Sequence, residues 1–403
     1  SALNIVQWQK IVTYYSKASP VDLPIPKPAV KPVIDWAIFS QMKPKVNANQ
    51  ESMAMTTLVT YNQNDSSFYT GDAASGFYRW DKNLNEDLLR KMPSGVTDAA
   101  FSKGAGNKNE VAITCIGILP PINVAKGKVI TFNLDKDLKR QEGVTAGDSL
   151  PRAVQTVAAD FNKDGLMDYV VCGFGHDEGG LYLLKQRPDH TFKKEVMRGI
   201  PGGEQLITGD FNNDGWTDVM CLFAQADEGL WVFLNDHKGG FETKNLMHFQ
   251  PVMGSSSFQL VDFNHDGKPD ILYTCGDNSD YSKVLKPYHG VYIFTNQGDW
   301  KFKQTYFYHI DGCTKAIAAD FDHDGDLDIA TIAFFPDFLN HPSAGFTYLE
   351  QTKTNEFLPH ELPIYQTGRW LTMDVGDIDH DGNLDIMLGN FVTPGRGLIN
   401  QKD

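Results

Sequence analysis

Five stretches with one spacing carry the most chemically loaded side chains of the chain. The fullest runs Asp320-Phe321-Asp322-His323-Asp324-Gly325-Asp326-Leu327-Asp328, with carboxylates at the first, third, fifth and ninth positions and glycine at the sixth. Oxygen ligands at alternate positions can curl inward around one hard cation, and the glycine permits the sharp turn this needs. The seventh residue offers its main-chain carbonyl, and the ninth closes the shell as the next strand begins. The remaining copies place Asp160, Asn162, Asp164, Leu166 and Asp168, then Asp210, Asn212, Asp214, Trp216 and Asp218, at the same positions. Two more use Asp262, Asn264, Asp266, Lys268 and Asp270, and Asp377, Asp379, Asp381, Asn383 and Asp385. A single Asp-rich turn reads as a solvated loop. Five at one spacing, each leading into an apolar run, read as five calcium sites.

The opening of each stretch matches that of an EF-hand loop, but the Glu at the twelfth position is missing and a β-strand follows instead of a helix. A catalytic metal needs an open coordination position and a nearby base or nucleophile. A site repeated five times is better suited to holding strands together, so the ions are expected to be structural.

Charge agrees with this reading. The formal net charge is −15, and the five turns alone hold 18 carboxylates, so five divalent ions would leave about −5. Nucleic-acid binding calls for a basic face, and none is evident. The 403 residues could hold two or three domains, but repeats override that prior, and an apolar fraction of 41% is ample for a large core. Cys115, Cys172, Cys221, Cys275 and Cys313 occur singly, with no Cys-x-x-Cys, and the first four fall in apolar runs as small core residues. Such calcium turns stay filled where calcium is abundant, which favours an extracellular, periplasmic or cell-surface location. No stretch reaches the roughly 18 apolar residues of a membrane span. A signal peptide is absent, and Ser1-Ala2 reads as the start of a truncated chain whose export signal has been removed.

The elements that position these turns repeat as well. Residues 4–17 place Ile5, Trp8, Ile11, Val12 and Tyr15 at helical spacing, and five prolines between residues 19 and 32 form an extended linker. Residues 1–32 are therefore expected to stand apart from a repeat domain at 33–403. There a glycine opening an alternating apolar strand recurs seven times, at Gly76, Gly127, Gly180, Gly229, Gly290, Gly345 and Gly397, roughly 50 to 60 residues apart. Each metal turn lies upstream of one such glycine, with one strand before it and one after. The expected fold is all-β: a seven-bladed β-propeller of four-stranded antiparallel blades, with a short N-terminal helix and a Pro-rich linker. Units one and two lack the metal set, at Thr60 to Phe68 and Phe101 to Asn107, and no ion is expected in either. Residues 33–41 form an orphan strand, expected to dock on the incomplete last unit and cover both open sheet edges.

The Asp-Phe-Asn-x-Asp-Gly-x-x-Asp turns and the Tyr169-Val170-Val171, Val219-Met220-Cys221 and Ile271-Leu272-Tyr273 strands after them resemble the FG-GAP/VCBS-type repeats of bacterial and eukaryotic surface proteins. Integrin α-subunit propellers belong to that group. The resemblance spans about residues 50–403 and implies the propeller fold and calcium in the five turns. The Gly-Ala-Pro step is absent, and Cys172-Gly173-Phe174-Gly175 is its nearest echo, which places the chain nearer the bacterial repeats. The Trp8, Ile11, Tyr14 and Tyr15 pattern is similar to the last helix of a small c-type cytochrome domain.

In a propeller, function is expected at the channel mouth opposite the metal turns, where the inner strands begin and the loops between second and third strands converge. Arg152, Glu204, Lys315, Arg369 and Trp370 stand at inner-strand starts, and His176, Tyr281, His289 and His341 lie in the loops. The leading expectation is a monomeric, non-catalytic module binding a glycan or a protein there. The alternative is a polysaccharide lyase, in which Arg369 or Arg152 neutralises a uronate and Tyr281, His289 or His341 transfers protons. A third reading is a surface scaffold for an upstream domain.

Overall fold

Alternating apolar runs punctuated by glycine turns fold as a series of antiparallel sheets. The computed structural model describes residues 4–18, 26, 30–44, 55–104, 107–278 and 284–392. Blade 1 comprises Thr56–Asn62, Ser67–Asp72, Gly76–Trp80 and Glu86–Lys91, paired in that order. Blade 2 comprises Val96–Lys103, Asn109–Cys115, Ala125–Asn133 and Val144–Pro151. The same order holds for blade 3 (Ala153–Ala159, Asp168–Gly173, Gly180–Gln186, Phe192–Arg198) and blade 4 (Gly203–Gly209, Asp218–Phe223, Gly229–Asn235, Phe241–His248). Blade 5 (Ser255–Val261, Asp270–Cys275, Gly290–Asn296, Phe302–His309) and blade 6 (Cys313–Ala319, Asp328–Ala333, Phe346–Lys353, Glu356–Glu361) complete the set.

The propeller therefore has six four-stranded blades, not the seven expected. The glycine landmark counts repeats, whereas a blade requires four paired strands. In the last repeat the described residues form only a two-stranded sheet, Trp370–Gly376 with Asp385–Asn390, and its landmark at Gly397 lies outside them. This hairpin joins blade 1 through a Tyr61 amide donating to Asp374 Oδ2 at 2.7 Å and a Tyr61 hydroxyl donating to Asp377 O at 2.6 Å. A Met55–Phe391 bridge runs beside them.

The orphan strand also departs from expectation. Only Val33–Ile34 forms a strand, and it pairs in parallel with His360 and Glu361 on the outer edge of blade 6 instead of the last unit. Side chains explain the preference. Asp35 meets His360, and the Phe39 ring packs edge-on against Phe321, Phe346 and Tyr348 at centroid separations of 5.9, 6.2 and 5.2 Å.

Blades stack through apolar faces, with the second residue of three Asp-rich turns as an inter-blade wedge. Phe161 packs on Phe241, Phe211 on Trp300 and Phe263 on Phe357, each in the following blade. All five cysteines are free and buried, as the apolar runs around the first four implied; Cys313 joins them.

The inner strands are laced around the channel by side chains that accept a backbone N–H from the next blade. Asp98 Oδ2 accepts from Thr156 (2.9 Å), Gln155 from Leu206, Gln205 from Phe258 (2.8 Å) and Gln259 from Ala318 (2.7 Å). Each inner strand carries a bulge at its mouth-side start, which turns its second residue away from the regular ladder.

Candidate metal-binding turns and the channel mouth

All five Asp-rich stretches form the reversal between the first and second strands of their sheets. The fourth residue takes left-handed backbone in every copy: Lys163, Asn213, His265, His323 and His380 have φ of 57°, 58°, 55°, 62° and 63°. The sixth-position glycines follow at 80–95°. Two successive positive-φ stretches so close together wind the chain tightly enough to point alternate side chains inward, which is why glycine is needed at the sixth position.

The carboxylates organise this winding. In four of the turns the first-position carboxylate accepts the N–H of the fifth and sixth residues, as Asp160 does from Asp164 (3.1 Å) and Gly165 (2.8 Å). In all five the fifth-position carboxylate accepts the N–H of the seventh, at Leu166, Trp216, Lys268, Asp326 and Asn383. The ninth residue is a brace. Asp168, Asp218, Asp270 and Asp328 have no exposed surface. The first three accept the N–H of the residue ending the third strand, at Gln186, Asn235 and Asn296, and Asp328 accepts that of Gln351, two residues before the strand ends.

Oxygen remains for a cation. Asp168 Oδ2, Asp320 Oδ1 and Asp326 Oδ1 are buried without a hydrogen-bond partner among the described residues. Carboxylate oxygens of Asp320, Asp322 and Asp324, and of Asp377, Asp379 and Asp385, lie within 4.8 Å of one another. Burial pushes the Asp168 carboxyl up to about 6, with the negative charges of Asp164 and Asp160 adding to it. Asp328 is likewise pushed up to about 6 by burial, with Asp322 contributing. Buried like charges with orphaned oxygens are what a hard divalent ion relieves, and an all-oxygen set suits calcium.

The first two blades hold their reversals without such a set. In blade 1, Asn62 Oδ1 accepts from Asn64 N (3.1 Å), and Asp65 accepts the Tyr69 hydroxyl (2.6 Å) with Arg79 Nε 3.6 Å away.

At the mouth, the expected residues divide. Glu204 and Lys315 line the inner strands. Burial pushes Glu204 up to about 8, with Asp277 adding and Arg152 opposing. Lys315 lies near Asp98, which burial pushes up to about 7 against its backbone bonds and the ammonium charge. Arg152 Nη1 donates to Gly175 O (3.1 Å) beside the Phe174 ring. Arg369 Nε donates to Phe334 O (2.7 Å), with its guanidinium 3.8 Å from the Phe334 ring centroid and 5.1 Å from that of Phe335. Trp370 is buried in the apolar cluster of Ile332, Phe346 and Met373. His289 is 1% exposed, and burial, reinforced by Lys286 and His309, pulls it down to about 3, so its ring is neutral. His176 and His341 are exposed in their loops, and Tyr281 lies outside the described residues. The arginines are thus packed on aromatic rings beside them.

Further polar residues shape the mouth and channel; Arg198, Asp98 and Asp374 were not singled out by the sequence, whereas Asp227 and Glu228 were among its loop candidates. Arg198 pairs with Asp227 (2.5 Å) while stacking on Trp231 (3.7 Å) and Phe223 (4.3 Å). Asp98 and Asp374 reach into the channel belt, where the third residue of an inner strand is the only sequence signal for the former. Glu228, fully buried, accepts both the N–H (2.8 Å) and hydroxyl (2.6 Å) of Ser255.

Among curated proteins none matches the chain. Among solved structures, the β-propeller domain of Cps50 (Swd1) from Myceliophteria thermophila is similar at 12% identity and TM-score 0.50, covering 86% of this chain and 100% of that one. The WD40 β-propeller domain of Doa1 is similar at 9% identity and TM-score 0.50, covering 84% and 90%. Both share the fold alone. The FG-GAP-like repeat family matches residues 160–221, 210–273 and 280–331, which contain the first four metal turns. The chain is thus a β-propeller whose residues 160–273 and 280–331 are similar to FG-GAP-like repeats.

Proposed function

We propose that this is a calcium-stabilised binding propeller that works outside the cytoplasm and engages a protein at the channel mouth. One observation carries the choice of ligand. Among the described residues outside 4–44, the exposed large apolar side chains are Leu119, Ile122, Val124, Val144, Val196, Val252, Val284 and Leu339. Six of these eight stand on mouth-side loops; Val144 and Val196 are the exceptions. Apolar tips on rigid loops suit a protein surface. Sugar rings stack on open aromatic faces, whereas Phe174, Phe334 and Phe335 are covered by Arg152 and Arg369.

The tips are pre-ordered. Asn123, between Ile122 and Val124, donates to Asp177 Oδ2 (2.8 Å) and accepts from Asp177 N (3.0 Å), which staples the blade 2 loop to that of blade 3. Asp337 Oδ1 accepts the N–H of Leu339 and Asn340, both at 3.1 Å. Rigid loops bind without a large ordering cost. Calcium in the five turns fits an exported protein, since such sites fill where the ion is abundant.

The test is a displayed random-peptide library and a glycan array, both probed with the calcium-loaded chain. Peptide binding that is lost in Ile122→Asp and Leu339→Asp, and kept in His380→Ala on the opposite face, is the expected result. Glycan binding without peptide binding would overturn the choice of ligand.

A further inference from the structure

Resting on the calcium reading, we propose that the five metal sites are unequal: the turns at 320–328 and 377–385 form a coupled pair that loads first, and the turns at 160–168, 210–218 and 262–270 load later.

Three observations converge on this. The pair holds more charge, with five carboxylates in one turn and four in the other, against three in each of the rest. Calcium affinity rises with ligand charge and with the rigidity of the site. Among the described residues, only these two turns already bring three carboxylates together within 4.8 Å.

Beyond the main-chain donors shared by all five turns, and the Asn383 side chain at Asp381, side chains hold the fifth-position carboxylate in each of the other three turns. Asn162 Nδ2 donates to Asp164 (2.9 Å) and Asn212 Nδ2 to Asp214 (2.7 Å). Asp214 also meets His237 Nε2 at 2.8 Å, and Asp266 meets Lys268 Nζ at 3.1 Å. An incoming ion must displace or reorient these groups, which weakens its net binding. In the first two turns the third position is Asn, whose amide supplies the competing donor.

The coupling has a visible bridge. His323 Nε2 lies 3.1 Å from Asn383 Oδ1, so the fourth residue of one turn holds the seventh of the next. The Asn383 backbone N–H in turn donates to Asp381 Oδ1 at 2.8 Å. An ion that fixes Asp322 and Asp324 therefore fixes His323 between them, and through it the second turn. Ordering the first site lowers the ordering cost of the second, which is positive cooperativity.

Terbium titration of the chelator-stripped full chain tests this, read by calorimetry and by luminescence excited through tryptophan. Trp216 sits in the 210–218 turn beside Asp214, and the titration uses Trp80→Phe, which removes the indole packed in the Ile378 cluster, so sensitised emission reports a late site. The expected result is heat from the first two equivalents with little emission, then emission as further ions bind. His323→Ala should lower the affinity of both early sites several-fold, whereas His265→Ala, at the same position of the 262–270 turn, should leave them unchanged. Emission rising from the first equivalent, or five indistinguishable sites, would overturn the inference while leaving calcium binding intact. No heat and no emission, with calcium or terbium, would sink the calcium reading itself.

Discussion

His360 Nδ1 lies 2.8 Å from Asp35 Oδ1, across 325 residues of sequence, and ties the N-terminal strap to the outer edge of blade 6. The other ring nitrogen lies 3.2 Å from Glu350 Oε2, so one imidazole bridges the strap and two strands of the blade. The contact covers an edge that would otherwise present unpaired backbone groups.

Removing that bridge should loosen the strap before it unfolds the propeller. His360→Ala is expected to cost about 1 kcal/mol, because both carboxylates remain partly solvated. Limited proteolysis should then cut within residues 30–44 faster than in the parent chain, while the melting temperature falls by only a few degrees. Equal cutting rates would show that Phe39 alone anchors the segment.

Stripping calcium should destabilise the fold strongly. Two carboxylates ~4 Å apart repel by about 4 kcal/mol at an effective dielectric constant of 20 before screening, and the stripped turns hold several such pairs. Calorimetric melting in excess chelator should show a large downward shift that is restored by calcium. An unchanged melt would count against metal in the turns.

Stability should also fall with rising pH because of Glu204. Its carboxyl is pushed up to about 8 by burial, with the charge of Asp277 adding to it, against ~4.3 in an unfolded chain. The folded state therefore holds the proton more tightly, and the stabilisation present at low pH is lost as pH rises through that window. Glu204→Gln should flatten the dependence of melting temperature on pH between about 5 and about 8, measured at saturating calcium so that the turn carboxylates stay ionised. An unaltered slope would place the titration elsewhere, with Asp98, pushed up to about 7, as the next candidate.

The wedge between blades should be worth more than any surface contact. Phe263 is 1% exposed and packs on Phe357 in the next blade. Phe263→Ala is expected to cost about 3–5 kcal/mol through lost burial and the cavity left behind. Chemical denaturation would read this directly, and a loss below ~1 kcal/mol would mean that the blades repack around the gap.

Repeats were legible because one physical requirement recurs at one spacing. Asp320 to Asp328 and its copies declare a tight acidic reversal between two strands, and the backbone takes positive φ at the expected glycine and also at the fourth residue, which the sequence did not announce. The ninth carboxylate was read as a ligand. Its second task, catching the end of the third strand at Gln186 or Asn235, depends on a residue 17 or 18 positions away, and no local pattern announces it.

The mouth was harder to read. Arg369 looked available as a residue type at a strand start, yet Phe334, 35 residues earlier, takes its guanidinium. His289 looked like an exposed loop histidine and is buried. Whether a polar side chain faces water is settled by neighbours that arrive from other blades.

What the sequence determined by itself was local: strands from alternation, and tight reversals from Asp and Gly. What only the tertiary structure decided was long-range: six full blades instead of seven, the strap on blade 6, and which carboxylates remain free for an ion. The physical reason is that hydrogen bonds within a turn span a few residues, whereas the partner of a sheet edge or of a buried charge is chosen by the packing of the whole ring.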